Sequence, residues 1–406
     1  MLTYNFYKIN KISFENIYQL ENLEVNHLPI FSDLSIEFLS QLSKNLFELN
    51  NIRDYTDVAA FAFWCRKKNL EKLFSSYKNH KNKLGRGVAF HITPTNVPVN
   101  FAFSFAFGML SGSSNIVRVP SKEFSQVEII SSEIFKLFKQ KRFSKLTKMN
   151  LFITYKKDLE ITELISRKAN SRLIWGGDET IKSLKKLTSN PRCIDICFPD
   201  RYSLCIINAN VFLKLTNEEK IEISKKFFND TFILNQNACS SPHLIIWHGE
   251  HDICKKAKII FWRELLNIIY IKGVIEKSEV MEKFRHLCAT SMNLKSQFDV
   301  DWKDNMIYRI DLKEISSDIY KYKFRSGFFF EYSTKDLKEI WEIINEKHQT
   351  ITYFGINPDF LYESILRMNI LGIDRIVPIG QALQISHIWD GFDIINILSR
   401  TVDIHH

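Results

Sequence analysis

Seven cysteines are scattered along the 406-residue chain, and one sits where a nucleophile could work. Cys239 lies in Asn235-Gln236-Asn237-Ala238-Cys239-Ser240-Ser241-Pro242, after a helix-like stretch, Glu218 to Leu234, and before a strand-like one, His243 to Trp247. A thiol between two regular elements, among short polar residues, can be exposed, held rigidly and surrounded by backbone N–H donors. The thiolate is the reactive form, so it must be both stabilised and reachable. A free cysteine is otherwise a small buried hydrophobe. Cys193, Cys197 and Cys205, in or near apolar strand segments, read that way.

Three further constellations carry polar chemistry. In Pro94-Thr95-Asn96-Val97-Pro98 two prolines stiffen a loop that can aim the Asn96 amide, a neutral donor suited to a developing oxyanion. Arg118 and Ser121 end a strand, where a guanidinium suits a ribose or phosphate. Gly176-Gly177-Asp178-Glu179 closes another strand and opens a helix, and its glycines permit close backbone approach by a dinucleotide, although the full GxGxxG fingerprint is absent. His248-Gly249-Glu250-His251 with Cys254 has ligand-type residues, but no second cluster completes a zinc site, so no metal is expected. No GxSxG elbow supports a serine hydrolase.

The elements that must position these residues alternate. Asp33 to Leu49 and Thr56 to Tyr77 carry apolar residues at helical spacing. From Gly85 short apolar strands (87–92, 115–119, 151–155, 172–175) alternate with helices (100–110, 123–138, 159–168, 179–187). Strands of four to six residues separated by such helices describe a parallel α/β sheet covered on both faces. A strand at 202–209 precedes a restart: the helix before Cys239, the strand after it, a helix at 252–266, a strand at 328–331, a helix at 334–347 and a strand at 350–354. Two α/β units follow, with a boundary near residue 206.

Composition agrees with a globular chain: 45% hydrophobic, 25% charged, and only 13 glycines and 9 prolines. Thirty-three phenylalanines suit a capacious apolar interior or tunnel, or simply core filling. The net charge of +9 comes from 55 basic and 46 acidic residues and fits an anionic ligand such as a nucleotide or coenzyme A. Nucleic-acid binding is not expected, since no recognition motif accompanies the charge. An odd number of cysteines without a framework of spacings favours a reduced compartment. The N-terminus lacks a secretory h-region and no apolar run reaches 18 residues, so a cytoplasmic protein without a membrane span is expected.

Taken together these segments resemble the aldehyde dehydrogenase superfamily and, more narrowly, the LuxC-type acyl-CoA reductases, over roughly residues 85 to 406. Pro94-x-Asn96-x-Pro98 is similar to the superfamily's oxyanion loop. Asn115 to Ser121 (NIVRVPS) is similar to the strand that contacts the cofactor's adenosine ribose, with Arg118 where lysine is commoner. Ile174-Trp175-Gly176-Gly177 looks like the turn beside the pyrophosphate and nicotinamide, and Asn237 to Pro242 like the nucleophile segment. The most specific stretch is Gly372 to Arg400, GIDRIVPIGQALQISHIWDGFDIINILSR.

The resemblance implies two Rossmann-like parallel-sheet domains with the active site between them. Residues 1–205 would bind cofactor (the helical region 1–84 included), 372–406 would return to that domain, and 206–371 would carry Cys239. It implies NADPH, with NADH as the alternative, an acyl-CoA or acyl-protein substrate, an acyl-protein synthetase partner and a homo-oligomer. For Asp374, Arg375, Gln381, Trp389 and Asp390 it suggests packing between domains or lining the substrate entrance. Hydrolytic relatives place a general-base glutamate ahead of the nucleophile. The corresponding segment here, Ile196 to Ser203 (ICFPDRYS), has none, so an S-acyl enzyme would await hydride and not water. A CoA-acylating dehydrogenase of short aldehydes and a catalytically silent binding module are the alternatives.

Overall fold

A computed structural model describes residues 8–405 except 15, 78–80, 95–96, 274–276, 295–296 and 303. The chain divides into two compact units, Met1–Pro199 with Ile385–His406, and Asp200–Gln384.

The first unit opens with β1 (Asn10–Lys11) and the helices α1 (Asp33–Phe47), α2 (Thr56–Trp64) and α3 (Lys67–Ser75). One helix is expected over 56–77; instead Cys65 and Arg66 break it, and the Arg66 guanidinium lies over the Phe47 and Phe63 rings at 4.7 and 4.6 Å. After β2 (Lys83–Gly85) the alternation begins: β3 (Val88–Ile92), α4 (Asn100–Leu110), β4 (Ser114–Arg118), α5 (Ser125–Phe138), α6 (Ser144–Met149), β5 (Asn150–Thr154), α7 (Leu159–Ser166), β6 (Ser171–Trp175), α8 (Asp178–Lys185) and β7 (Ile194–Phe198). The strand order is β1-β5-β4-β3-β6-β7, and every pair is parallel. The chain moves outward from β3 through β4 to β5 and then crosses to β6 on the other side. A topological switch point therefore lies between β3 and β6, where open parallel sheets take ligands at their carboxyl ends.

α4 is buried at every position, which is why it carries four phenylalanines and no charge. Phe105 packs against Phe38 and Phe152 (centroids 6.4 and 5.0 Å), and Phe138 and Phe143 close on Phe38 at 5.2 and 5.1 Å. In this unit the phenylalanines fill the core. Behind them the buried His91 imidazole meets Ser104 Oγ and Asn115 Oδ1 at 2.8 and 2.9 Å. A Cβ on Gly108 would lie 1.9 Å from that Asn115 oxygen, so the network requires glycine there.

The second unit holds β8 (Tyr202–Asn208), α9 (Ala209–Lys214), α10 (Asn217–Thr231), β9 (Pro242–His248), α11 (His251–Lys272), α12 (Lys277–Asn293), β10 (Phe298–Asp301), β11 (Tyr308–Leu312), β12 (Phe328–Thr334), α13 (Lys338–Ile343), β13 (His348–Phe354), α14 (Pro358–Arg367) and β14 (Arg375–Pro378). The order is β10-β11-β12-β9-β8-β13-β14, parallel except for β10 against β11. Alternate residues of the central strands feed two apolar layers. Leu204, Ile206, Leu244, Ile246, Phe328 and Phe330 face one side; Cys205, Ile207, Ile245, Trp247 and Phe329 face the other. That is why these strands read as unbroken apolar runs.

The unit boundary falls at 199/200, just ahead of β8, where the sequence places it near 206. Residues 372–384 stay with the second unit because β14 pairs with β13. The chain returns to the first unit through β15 (Ile388–Trp389), β16 (Phe392–Asp393), α15 (Ile394–Ile397) and β17 (Ser399–Thr401), which pairs with β2.

Phe105→Ala should cost about 3–5 kcal/mol, since truncating a buried phenylalanine leaves a cavity among rings that cannot close on it. Denaturant unfolding checks this, and a loss below about 1 kcal/mol would show that α4 is not part of the packed interior.

Candidate active site

The segment that carries Cys239 begins where α10 ends. A capping box starts that helix: the Thr216 hydroxyl accepts from Glu219 N, and the Glu219 carboxylate accepts from Thr216 N. After Thr231 the chain reverses through Asn235 and Gln236, both left-handed, with φ of 50° and 55°. Asparagine tolerates that region, but for glutamine it costs about 1–3 kcal/mol. The Gln236 side chain offsets the strain. Its Oε1 accepts from Gly327 N and Phe328 N (2.7 and 3.2 Å), and its Nε2 donates to the Pro242 and Phe328 carbonyls, both at 3.3 Å. The buried amide thus ties the turn to the starts of β9 and β12. Asn235 adds a 2.6 Å bond to Glu279 of α12.

Cys239 follows, half-buried, at the amino end of β9. The Ser203 hydroxyl, fully buried on β8, donates to the Cys239 carbonyl at 2.6 Å and accepts from Thr350 N at 3.2 Å. The Gln349 amide Nε2 donates to Cys239 Sγ at 3.2 Å. The ladder is irregular on both sides of Ser203. His348 pairs Tyr202 and Ile351 pairs Leu204, so two residues of β13, Gln349 and Thr350, face the single Ser203. On the other flank Pro242 pairs Ser203 and Leu244 pairs Leu204, leaving His243 as the extra residue of β9. Such bulges re-aim side chains. The cluster gathers at the amino ends of β8, β9, β12 and β13, opposite to the carboxyl-end rule that governs the first sheet.

The Gly372–Arg400 stretch contributes here as well. Arg375 donates to the carbonyls of Ala382, Gln381 and Gln384 at 2.6–2.8 Å, folding the loop after β14 around its guanidinium. Asp230, near the end of α10, accepts from Gly380 N and Ala382 N at 2.6 and 2.8 Å. Gly380 can present its N–H because it adopts φ 97°. Burial pulls the Arg375 guanidinium down to about 10, against the charges of Asp230 and a Cys239 thiolate, which hold it up. Asp374 pairs with Arg201 at 2.7 Å. The partners of Asp374, Arg375 and Gln381 named here all lie in the second unit, whereas Trp389 and Asp390 belong to the first.

Asn96 lies outside the described residues. Arg118 ends β4 with its guanidinium 4.3 Å above the Tyr155 ring, and Ser121 is exposed in the bend beyond it. Gly176 and Gly177 follow β6, flanking the switch point. Gly177 takes φ −65°, open to any residue, and a Cβ there would meet nothing within 4 Å. Glycine at this position therefore supplies room and not an unusual backbone. Asp178 and Glu179 already occupy the first turn of α8, so the turn offers backbone approach more than anion binding. Asp200, the carboxylate nearest the absent glutamate's place, meets Lys323 Nζ at 2.5 Å. Cys254 is buried, its Sγ donating to the Trp247 carbonyl. Among the described residues no cluster of three His, Cys, Asp or Glu side chains could hold a metal ion, and no helix is long and apolar enough to cross a membrane.

Ser203, Asp230 and Gln349 carry no motif in the sequence. Gln349 is a polar residue at the edge of an apolar run, and only the bulge makes it face sulfur.

The two units have the fold of the aldehyde dehydrogenases. A NAD-dependent benzaldehyde dehydrogenase from Corynebacterium glutamicum superposes with a TM-score of 0.63 at 11% identity, covering 94% of this chain and 86% of that one. A glyceraldehyde-3-phosphate dehydrogenase from Methanocaldococcus jannaschii, complexed with NADP, gives 0.60 at 14%, covering 97% and 94%. The chain belongs to the acyl-CoA reductase (LuxC) family, whose pattern it matches over residues 44–401. It is also similar to a long-chain acyl-protein thioester reductase of Aliivibrio fischeri, 23% identical over 301 residues, 73% of this chain. The match spans 58% of that relative's length.

Burial pushes the Asp230 carboxyl from 3.8 up to about 7, overriding the two N–H donors and Arg375, which pull it down. The native state therefore binds more protons than the unfolded chain between about pH 4 and 7, and stability falls as pH rises through that window. Asp230→Asn should flatten the fall. Unfolding free energies of both proteins at about pH 5 and pH 8 check this, and equal slopes would refute it.

Proposed function

We propose that this chain reduces a fatty acyl thioester, acyl-CoA or acyl-protein, to the aldehyde with reduced nicotinamide, through an S-acyl enzyme on Cys239. The observation that carries this reading is the half-buried Cys239 thiol, held between buried donors in a chain of the LuxC family.

The Cys239 thiolate attacks the thioester carbonyl carbon, and the oxyanion takes N–H bonds from the Cys239 backbone and the Asn96 amide. Such donors contribute about 2.7–4 kcal/mol each when aimed at the transition-state oxygen. Collapse of the oxyanion breaks the old carbon–sulfur bond, releases the thiol of the donor after protonation, and leaves the acyl group on Cys239. A reduced nicotinamide held by the Gly176-Gly177 turn and Arg118 would supply the hydride that the acyl carbon accepts. The resulting thiohemiacetal oxyanion collapses to aldehyde and returns the electron pair to the Cys239 sulfur. With Asp200 engaged by Lys323, no carboxylate in the Ile196–Ser203 segment is placed to activate water, which favours hydride over hydrolysis.

Arg118, Ser121, Gly176 and Gly177 are the cofactor residues of this reading. The open face of Gly177 fits close approach of a dinucleotide, and Arg118, anchored on Tyr155, suits the 2′-phosphate of NADPH more than NADH. The resemblance to LuxC-type reductases also supports a cytoplasmic homo-oligomer that receives acyl groups from an acyl-protein synthetase.

Incubation with a panel of acyl-CoAs without cofactor should add one acyl mass to the Cys239 peptide, with long chains preferred. Cys239→Ala should lose both the adduct and the reductase activity, and activity retained in that variant would sink the scheme. Arg118→Ala should raise KM for NADPH about tenfold, the loss of one charge-assisted contact, with KM for NADH little changed. Steady-state kinetics with both cofactors separates these, and an equal effect on the two would remove Arg118 from the phosphate site.

A further inference from the structure

Gln349 touches the Cys239 sulfur. Its Nε2 lies 3.2 Å from Cys239 Sγ, and its Oε1 accepts from the Thr350 hydroxyl at 3.2 Å. An anionic sulfur can only accept, so the thiolate takes the N–H end of the amide and leaves Oε1 to accept from the Thr350 hydroxyl. Both side chains are almost fully buried, at 1% and 0% exposure, while the sulfur is half-buried. Neighbouring residues on a regular strand point to opposite faces, so Gln349 and Thr350 could not act together in an unbroken ladder. The bulge opposite Ser203 lets them, and the same Ser203 holds the Cys239 carbonyl.

The two histidines of β9 and β13 that flank the bulges, Asp230 and Arg375 have other partners. His243 turns its Nδ1 to the Phe324 carbonyl and His348 turns its Nδ1 to Asn345 N; burial holds both imidazoles neutral, at about 3 and about 4. Asp230 is taken by Gly380 and Ala382, and the Arg375 guanidinium donates to three carbonyls of its own loop, from which its field reaches the sulfur.

We propose that Gln349 is a catalytic residue of the acyl-transfer step: its amide N–H, aimed by the β13 bulge and locked by Thr350, stabilises the Cys239 thiolate and holds the sulfur on its line of attack. This rests on Cys239 being the acylated nucleophile. A neutral amide stabilises a thiolate less than an imidazolium would, which preserves the sulfur's nucleophilicity.

The test follows alkylation of Cys239 by iodoacetamide against pH in the full-length protein, read peptide by peptide by mass spectrometry. The exposed Cys288 serves as internal reference. Gln349→Met, similar in length but without an N–H, should raise the apparent pKa of Cys239 by about one unit, the worth of a hydrogen bond to a charged group, and leave Cys288 unmoved. Thr350→Val, which keeps Gln349 and removes only its lock, should move Cys239 in the same direction and keeps the idea testable if the first variant does not fold. Unchanged Cys239 profiles in folded variants would overturn the proposal. Wild-type Cys239 failing to take an acyl group from acyl-CoA would instead overturn the nucleophile assignment, an outcome read independently of the pH profiles.

Discussion

The second unit depends on two consecutive left-handed residues, Asn235 and Gln236, held by one buried amide. Backbone bonds from Gln236 N to the Thr231 carbonyl and from Asn237 N to the Leu234 carbonyl close the reversal between α10 and β9, and the Gln236 amide, bonded to Gly327, Phe328 and Pro242, fastens it to the sheet. A polar side chain is expensive to bury unless each of its groups finds a partner, and this amide finds four. The strain in the turn and the satisfied amide support one another. The result is a cysteine whose backbone position is set before its sulfur meets anything.

Ser203 extends that constraint sideways. It sits on β8 between two ladder irregularities and links the Cys239 carbonyl to the backbone of β13. A regular sheet would place only alternating apolar residues here; the two bulges let polar side chains gather at the amino ends of four strands. The donors are buried and Cys239 is only half-buried, so its thiol sits at the margin of a well-packed polar cluster. The loop after β14 is fixed by the same logic, with Asp230 and Arg375 bonding its backbone N–H groups and carbonyls.

In the first unit position follows from topology. The crossover on either side of β3 creates a switch point, and the Gly176-Gly177 turn borders it because β6 is the strand laid down after the reversal. Arg118 emerges one strand beyond β3, steadied by Tyr155. The phenylalanine-rich α4 behind these loops is a matter of packing: its rings interlock with those of α1 and β5, which in turn meet those of α5, giving the loops a rigid floor.

Much of this was legible in the chain itself. Apolar runs of strand length alternating with amphipathic segments determined two parallel α/β sheets, because strands covered on both faces must be apolar throughout and parallel strands need crossovers. The loop position of Cys239 between α10 and β9, and of Gly176-Gly177 between β6 and α8, was likewise legible, since each depends on residues adjacent in sequence. Short or half-polar elements such as β10, β11 and β14 gave no such signal, and the helix expected over 334–347 shrank to α13 as β12 ran on to Thr334. Only the tertiary structure decided that Gln349 faces Cys239 across 110 positions, that Ser203 joins them, and that Arg375 folds its own loop. The reason is physical: a one-residue slip in a ladder turns a side chain from one face to the other, and periodicity cannot foretell where two strands fall out of step.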